Sequence, residues 1–216
     1  MAGFWRAYSG VTAFTGMPGS GKTYGLAEVA ARALRRGLPV YSNEGFDLAH
    51  EGARTFCSFD EFVTVIGSTE EVVICFDELP LYFNSRKWQE FPDAVLYYLT
   101  QIRKCRARLY YSAIHEAMVD ANVRRLTFWY WHCRAISGRL LRRSLFPPEE
   151  FRRARAKPYR SEFVWVKRDT AGLYDTMARV SVAPSLRAKL DAPSERWEAP
   201  GRGSGVAVAS ETENAG

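Results

Sequence analysis

The sequence predicts an α/β fold with three layers around a mainly parallel central sheet. Three observations predict it. The stretch Gly16-Met17-Pro18-Gly19-Ser20-Gly21-Lys22-Thr23 matches the P-loop pattern G-x-x-x-x-G-K-[ST] between a strand-like and a helix-like segment. A continuous apolar run from Val72 to Phe76 ends in the adjacent carboxylates Asp77 and Glu78, the pattern of a strand buried on both faces. Five strand-like segments occur along the chain with helix-like segments between several of them, the order that builds a parallel sheet.

Val11 to Thr15 is β-branched and apolar and reads as the first strand. From Lys22 to Arg36, Leu26, Val29, Ala30, Ala33 and Leu34 fall on one helical face, and Gly37 stands where a helix C-terminal glycine belongs. Pro39 to Asn43 reads as a second strand, followed by a loop through Gly45 and Gly52. Ser58 with Glu61 forms a capping box that opens a short helix to about Ile66. After the Asp77-Glu78 strand, Leu79 to Trp88 reads as a loop with exposed aromatics Tyr82, Phe83 and Trp88. Pro92-Asp93 starts a helix through Ile102. Leu109 to Ala113 is a fourth strand, Asp120 to Leu126 a short helix or turn, and Thr127 to Cys133 an aromatic fifth strand. Glu162 to Lys167 and Leu173 to Met177 read as a C-terminal β-hairpin or two edge strands. Residues 1–180 are therefore expected to form one domain. Residues 181–216, rich in Ala, Pro, Ser, Gly and Glu with little periodicity, read as a flexible tail.

The glycines of the P-loop let backbone N–H groups converge on one concavity, and the following helix N-terminus adds partial positive charge. The nest therefore suits phosphate oxygens. Gly16, Pro18, Gly19, Ser20, Gly21, Lys22, Thr23 and Tyr24 are the candidate nucleotide contacts. Lys22 would reach the β- and γ-phosphates, and the Thr23 hydroxyl would ligate Mg²⁺. Asp77 would hold the ion through water, and Glu78 would orient or deprotonate the attacking water. ATP and Mg²⁺ are the cofactors this chemistry needs. Ser112 and His115, at the carboxyl end of the fourth strand, are candidate γ-phosphate sensors, although a structural role suits His115 equally well. Arg124 or Arg125 would serve as an arginine finger toward a neighbouring subunit, or simply carry surface charge.

Charge narrows the partners. The net charge is +6, but residues 99–160 hold 15 Lys/Arg and 4 Asp/Glu, a local +11 that leaves about −5 for the rest. Arg103, Lys104, Arg106, Arg142, Arg143, Arg152 and Arg153 are candidate DNA contacts, though the first three also complement a helix C-terminal dipole. No run approaches the roughly 18 apolar residues of a membrane span, and no apolar signal-peptide core precedes the first strand, so a soluble cytoplasmic protein is expected. The widely spaced Cys57, Cys75, Cys105 and Cys133 form no C-x-x-C pair and suggest neither zinc nor a disulfide framework.

Taken together, these residues resemble the Zot-like ATPases of filamentous phages, the family of the zonular occludens toxin N-terminal domain. The resemblance rests on Gly16–Thr23, the strand-ending Asn43, Asp77-Glu78, and Leu99 with Ile102-Arg103-Lys104. It extends to Val119-Asp120, Val123-Arg124-Arg125-Leu126 and Leu173-Tyr174-Asp175-Thr176, and covers about residues 8–180. It implies membership of the FtsK/HerA clan, with the fourth strand lying between the P-loop strand and the Asp77 strand. It also implies assembly into a homo-oligomeric ring, a hexamer being one such ring. The family commonly has a glutamine after strand four, where this chain has Ser112, Ile114 and His115, and its filamentous-phage members usually continue into a membrane span. A phage genome-packaging ATPase of the same clan is the other relative implied.

The expected function is an ATP-hydrolysing motor that moves viral DNA, in packaging or extrusion. Its place would be the host cytoplasm, at a virion vertex or membrane assembly site, with capsid or membrane-assembly proteins as partners. The alternative is a nucleotide-switched interaction module without DNA translocation. A small-molecule kinase ranks last, because Asp77-Glu78 favours water as the nucleophile.

Overall fold

In the computed structural model, residues 10–43, 46–56, 59–67, 70–83, 93–153 and 155–174 are described. The elements follow in chain order: β1 (Val11–Thr15), α1 (Lys22–Leu34), β2 (Val40–Ser42), β3 (Ala53–Thr55), α2 (Phe59–Gly67), β4 (Val72–Phe76), α3 (Asp93–Thr100), β5 (Ala107–Ala113), α4 (Ala121–Leu126), β6 (Thr127–Ser137), β7 (Leu140–Phe146), α5 (Pro148–Phe151), β8 (Arg160–Trp165) and α6 (Arg168–Ala171). Short 3₁₀ turns at Leu79–Leu81 and Glu116–Met118 join them.

The strands form one eight-stranded sheet in the order β3-β2-β4-β5-β1-β6-β7-β8. Pairing is parallel from β3 to β6 and antiparallel from β6 to β8. The fourth predicted strand, now β5, does lie between β1 and β4. β1 and β4 are buried at every position, which explains their unbroken apolar runs. Each face of the sheet carries its own core. On one face, Leu26, Ala27, Ala30 and Ala33 of α1 pack on Phe14, Val73, Cys75, Tyr110 and Trp131. On the other, α2, α3 and α4 supply Phe62, Ile66, Val95, Leu99 and Val123 against Ile74, Phe76, Tyr111 and Tyr130. The alternation of β1, with Ala13 toward one core and Phe14 toward the other, is the period of a strand. α1 ends as its glycine demands. Gly37 takes φ +71°, its N–H donates to the Leu34 carbonyl, and the Leu38 N–H donates to that of Ala33.

Four expectations need correcting. β3 lies in the segment read as a loop, and pairs with β2 through only three residues. β7 was hidden in the basic stretch because Arg143 interrupts the apolar alternation of Leu141 and Leu145. Among the described residues the antiparallel C-terminal pairing is therefore β7 with β8, and Leu173 and Tyr174 of the second segment read as a strand are outside the sheet. Leu173 and Tyr174 instead follow α6 in a turn and pack toward the α1 core, while 175–177 lie outside the described residues. Tyr82 and Phe83 are buried, because the 3₁₀ turn after Glu78 folds them back onto Phe76 at ring separations of 5.1 and 6.5 Å. Trp88, the Ser58 cap and the segment read as a tail lie outside the described residues. Among the described residues, no helix is long and apolar enough to cross a membrane.

Candidate nucleotide site

The site stands at the carboxyl ends of β1, β4 and β5, where parallel strands deliver their loops to one edge. The loop after β1 turns through glycines with φ of +140° at Gly16, +74° at Gly19 and +90° at Gly21. Two of these positions are also closed by packing. A Cβ on Gly16 would lie 2.4 Å from the Cys133 carbonyl oxygen of β6, and one on Gly21 2.4 Å from a Leu141 methyl of β7. Gly16→Ala is therefore expected to lower stability by about 1–3 kcal/mol, read as a urea midpoint shift, since a backbone atom must move and the φ is strained. α1 begins at Gly21 with no side-chain cap and no acidic residue in its first turn, which leaves its N-terminal amides to an external anion. Lys22 is 8% exposed and its Nζ donates to the Met17 carbonyl at 3.2 Å, across the loop. Ser20 Oγ is buried with no hydrogen-bond partner.

Opposite the loop, Asp77 is held from α1, from β5 and from the end of β2. The Thr23 hydroxyl donates to its two carboxylate oxygens at 3.2 and 3.1 Å, and Ser112 Oγ donates at 2.5 Å. Asn43 clamps the Asp77 backbone: its Oδ1 accepts the Asp77 N–H at 2.7 Å, and its Nδ2 donates to the Asp77 carbonyl at 3.1 Å. Ser112 Oγ also accepts the Glu78 N–H at 2.8 Å. Glu78 is exposed and takes φ 52°, ψ 52°, a left-handed conformation that costs a non-glycine residue about 1–3 kcal/mol. Such strain persists only where the surroundings impose it, and here the Ser112 and Asn43 bonds do so.

Burial pushes the Asp77 carboxyl above its ordinary range, and the bonds from Ser112 and Thr23 and the Lys22 charge only partly oppose this. The charged form therefore costs folding free energy at neutral pH, a cost relieved as pH falls through the raised folded value. Two hard oxygen donors, Thr23 and a buried carboxylate short of positive charge, fit Mg²⁺. Asp77→Asn is expected to melt no lower than the parent at neutral pH without nucleotide, yet to lack the upward melting shift expected of the parent with Mg-ATP.

The other candidates scatter. Pro18 and Gly19 form the exposed loop tip, whereas the Tyr24 ring is buried and its hydroxyl accepts the Lys167 N–H at 3.1 Å, tying down the segment after β8. His115 lies at the site edge, where its Nδ1 accepts the Ala117 N–H and caps the Glu116–Met118 turn. Arg124 and Arg125 lie in the last turn of α4, which ends at Leu126 before Thr127; Thr127 pairs with Val11 at the amino end of β1, so they sit at the far edge from their own P-loop. Arg103, Lys104 and Arg106 are exposed just before β5, at that same far edge, and Arg103 lies 5.4 Å from the Phe128 ring. Arg142 is exposed on β7. Arg143 is not available to DNA: it is 5% exposed and pairs with Glu28 at 2.7 Å and Glu162 at 2.8 Å. Arg152 pairs with Glu116 at 3.3 Å and Arg153 with Glu150. The role of Asn43 and the double role of Ser112 escaped the sequence reading, because both depend on β2, β4 and β5 being neighbours.

Fold and site together define a P-loop nucleoside-triphosphatase architecture. The chain is similar in fold to the N-terminal domain of zonular occludens toxin from Neisseria meningitidis, with TM-score 0.57 and 15% identity over 78% of this chain and 100% of that one. The genome packaging NTPase B204 from Sulfolobus turreted icosahedral virus 2, in complex with ATP-gammaS, matches with TM-score 0.47 and 13% identity over 57% of this chain and 73% of that one. No protein-family model matches the chain, and no curated protein does.

Proposed function

We propose that this protein is the ATP-hydrolysing subunit of a phage assembly motor that translocates viral DNA, in packaging or in extrusion. The observation that carries the hydrolytic part is the Thr23–Asp77–Ser112 constellation facing the P-loop, with Glu78 fixed beside it. Loop amides and Lys22 hold the phosphates. When bound between Thr23 and Asp77, Mg²⁺ supplies charge neutralisation on the phosphates. Glu78 accepts a proton from water, and Ser112 ties the Asp77 carboxylate to the Glu78 backbone. The likeness in fold to the zonular occludens toxin domain supports this architecture, and the exposed arginines support a polyanionic partner.

Because Arg124 and Arg125 lie at the edge remote from their own site, the arginine-finger role in this reading is toward a neighbouring subunit of a homo-oligomeric ring. The alternative, a nucleotide-switched interaction module, loses one support, since Tyr82 and Phe83 are buried and offer no partner surface. Purified protein is expected to release phosphate from ATP, faster when DNA is added, with the stimulation falling as salt rises. Lys22→Ala should abolish both. Hydrolysis that Lys22→Ala leaves intact, or that DNA leaves unchanged across a salt series, would sink the motor reading.

A further inference from the structure

The outer face of β6, β7 and β8 carries side chains that neither the fold nor the nucleotide site uses. Arg134 on β6, Arg142 on β7 and Phe163 on β8 stand directly opposite one another in a row across the three strands. In the next row out, Leu140 is opposite Trp165. Strand alternation puts Phe163 and Trp165 on one face, about 7 Å apart along β8. They are 68% and 61% exposed, although aromatic side chains of this size are ordinarily buried.

The charge arrangement is equally unsatisfied. Like charges directly opposite across two strands repel, and neither Arg134 nor Arg142 has an ion pair among the described residues. The contrast lies one residue along, on the reverse face, where Arg143 is neutralised by Glu28 and Glu162. α5 covers only the lower part of the face: Phe151 stacks on Tyr130 at 4.5 Å and lies 6.4 Å from His132. The arginine and aromatic rows lie beyond it.

We infer that this face is a stacking platform for single-stranded nucleic acid, in which Phe163 and Trp165 take unpaired bases and Arg134 and Arg142 take the backbone. The inference rests on the DNA-motor reading and specifies its substrate. A flat exposed ring needs the face of a base, and those faces are inaccessible inside a duplex. A polyanion relieves the arginine pair, whereas an apolar partner would bury it unpaired at a cost. The platform is also joined to the nucleotide loop, because Cys133 and Leu141 of the same strand pair close over Gly16 and Gly21.

The test is fluorescence anisotropy of the full chain with a short labelled oligothymidylate and with a duplex of equal length, over a salt series. The single strand should bind more tightly than the duplex. Phe163→Ser with Trp165→Ser should weaken it about tenfold or more, and Phe163→Tyr with Trp165→Phe should retain it. Arg134→Gln with Arg142→Gln should flatten the logarithmic salt slope by about 1.4. Circular dichroism of each variant checks that it is folded. If single strand and duplex bind alike and the serine variant changes neither, the platform is refuted while the motor reading stands. If no nucleic acid binds at all, both fall. If the serine variant instead dissociates an oligomer in sedimentation and leaves binding intact, the face is an interface between copies and the inference is wrong.

Discussion

Glu78→Gln is expected to slow ATP hydrolysis about 10²- to 10⁴-fold, the usual contribution of a general base, while leaving nucleotide affinity near that of the parent. The substitution keeps the shape and the left-handed backbone, so the unfolding free energy should stay within about 0.5 kcal/mol of the parent's. The expected phenotype is a protein that loads ATP and does not turn it over. Lys22→Ala should differ by losing affinity as well, because in the proposed mechanism the ammonium holds ground-state phosphate. Steady-state phosphate release and equilibrium binding of labelled ATP separate the two. If kcat of Glu78→Gln lies within threefold of the parent, water is activated elsewhere and the assignment fails.

What the chain disclosed and what it concealed divide along one line. Contiguous features were legible: the P-loop between strand and helix, the β4 run ending in Asp77-Glu78, and the α1 face with its terminal Gly37. Each is written within a few residues, where local sterics and periodicity act. What escaped depends on neighbours distant in sequence. Asn43 is 34 positions from Asp77, and only the adjacency of β2 and β4 turns it into a backbone clamp. Ser112 is 35 positions from Asp77, and its bonds need β4 beside β5. β7 was misread because a buried arginine, satisfied by α1 and β8, looks in sequence like a solvated charge. Tyr82 and Phe83 looked exposed because a 3₁₀ reversal leaves no periodic signature. The clustered basic residues were visible, but their division between one edge of the sheet, the outer face of β6 and β7, and a buried ion pair was not.

That buried ion pair supplies the second large effect. Arg143→Met is expected to lower stability by about 3 kcal/mol, the lower end of the range for removing one partner of a buried pair. Arg143 has a side chain only 6% exposed, and it links Glu28 of α1 to Glu162 of β8 while its guanidinium carbon lies 5.6 Å from the Trp131 ring. Its loss leaves two carboxylates without their shared cation. Both are about one-fifth exposed, and Glu28 keeps Arg32 at 2.6 Å, so water and that second arginine moderate the cost. The pH dependence tests the mechanism. Burial alone would push the Glu28 carboxyl up, but Arg143 and Arg32 reverse this and hold it below the ordinary carboxylate range. The ion-pair stabilisation is thus fully present above the ordinary glutamate value and is lost as pH falls through the lowered one. In Arg143→Met the burial of Glu28 is less opposed, so acid costs the variant less than the parent. Urea midpoints of parent and variant should therefore be far apart at neutral pH and converge on acidification. The variant carrying Glu28→Gln and Glu162→Gln as well should recover most of the loss, because a neutral trio leaves no charge stranded. A gap that is constant with pH would mean that Arg143 acts through packing on Trp131 rather than through charge. The pair matters for the site because α1 carries the P-loop at its start and β7 closes over Gly21. Loosening one against the other should weaken Mg-ATP binding even though Arg143 touches no phosphate.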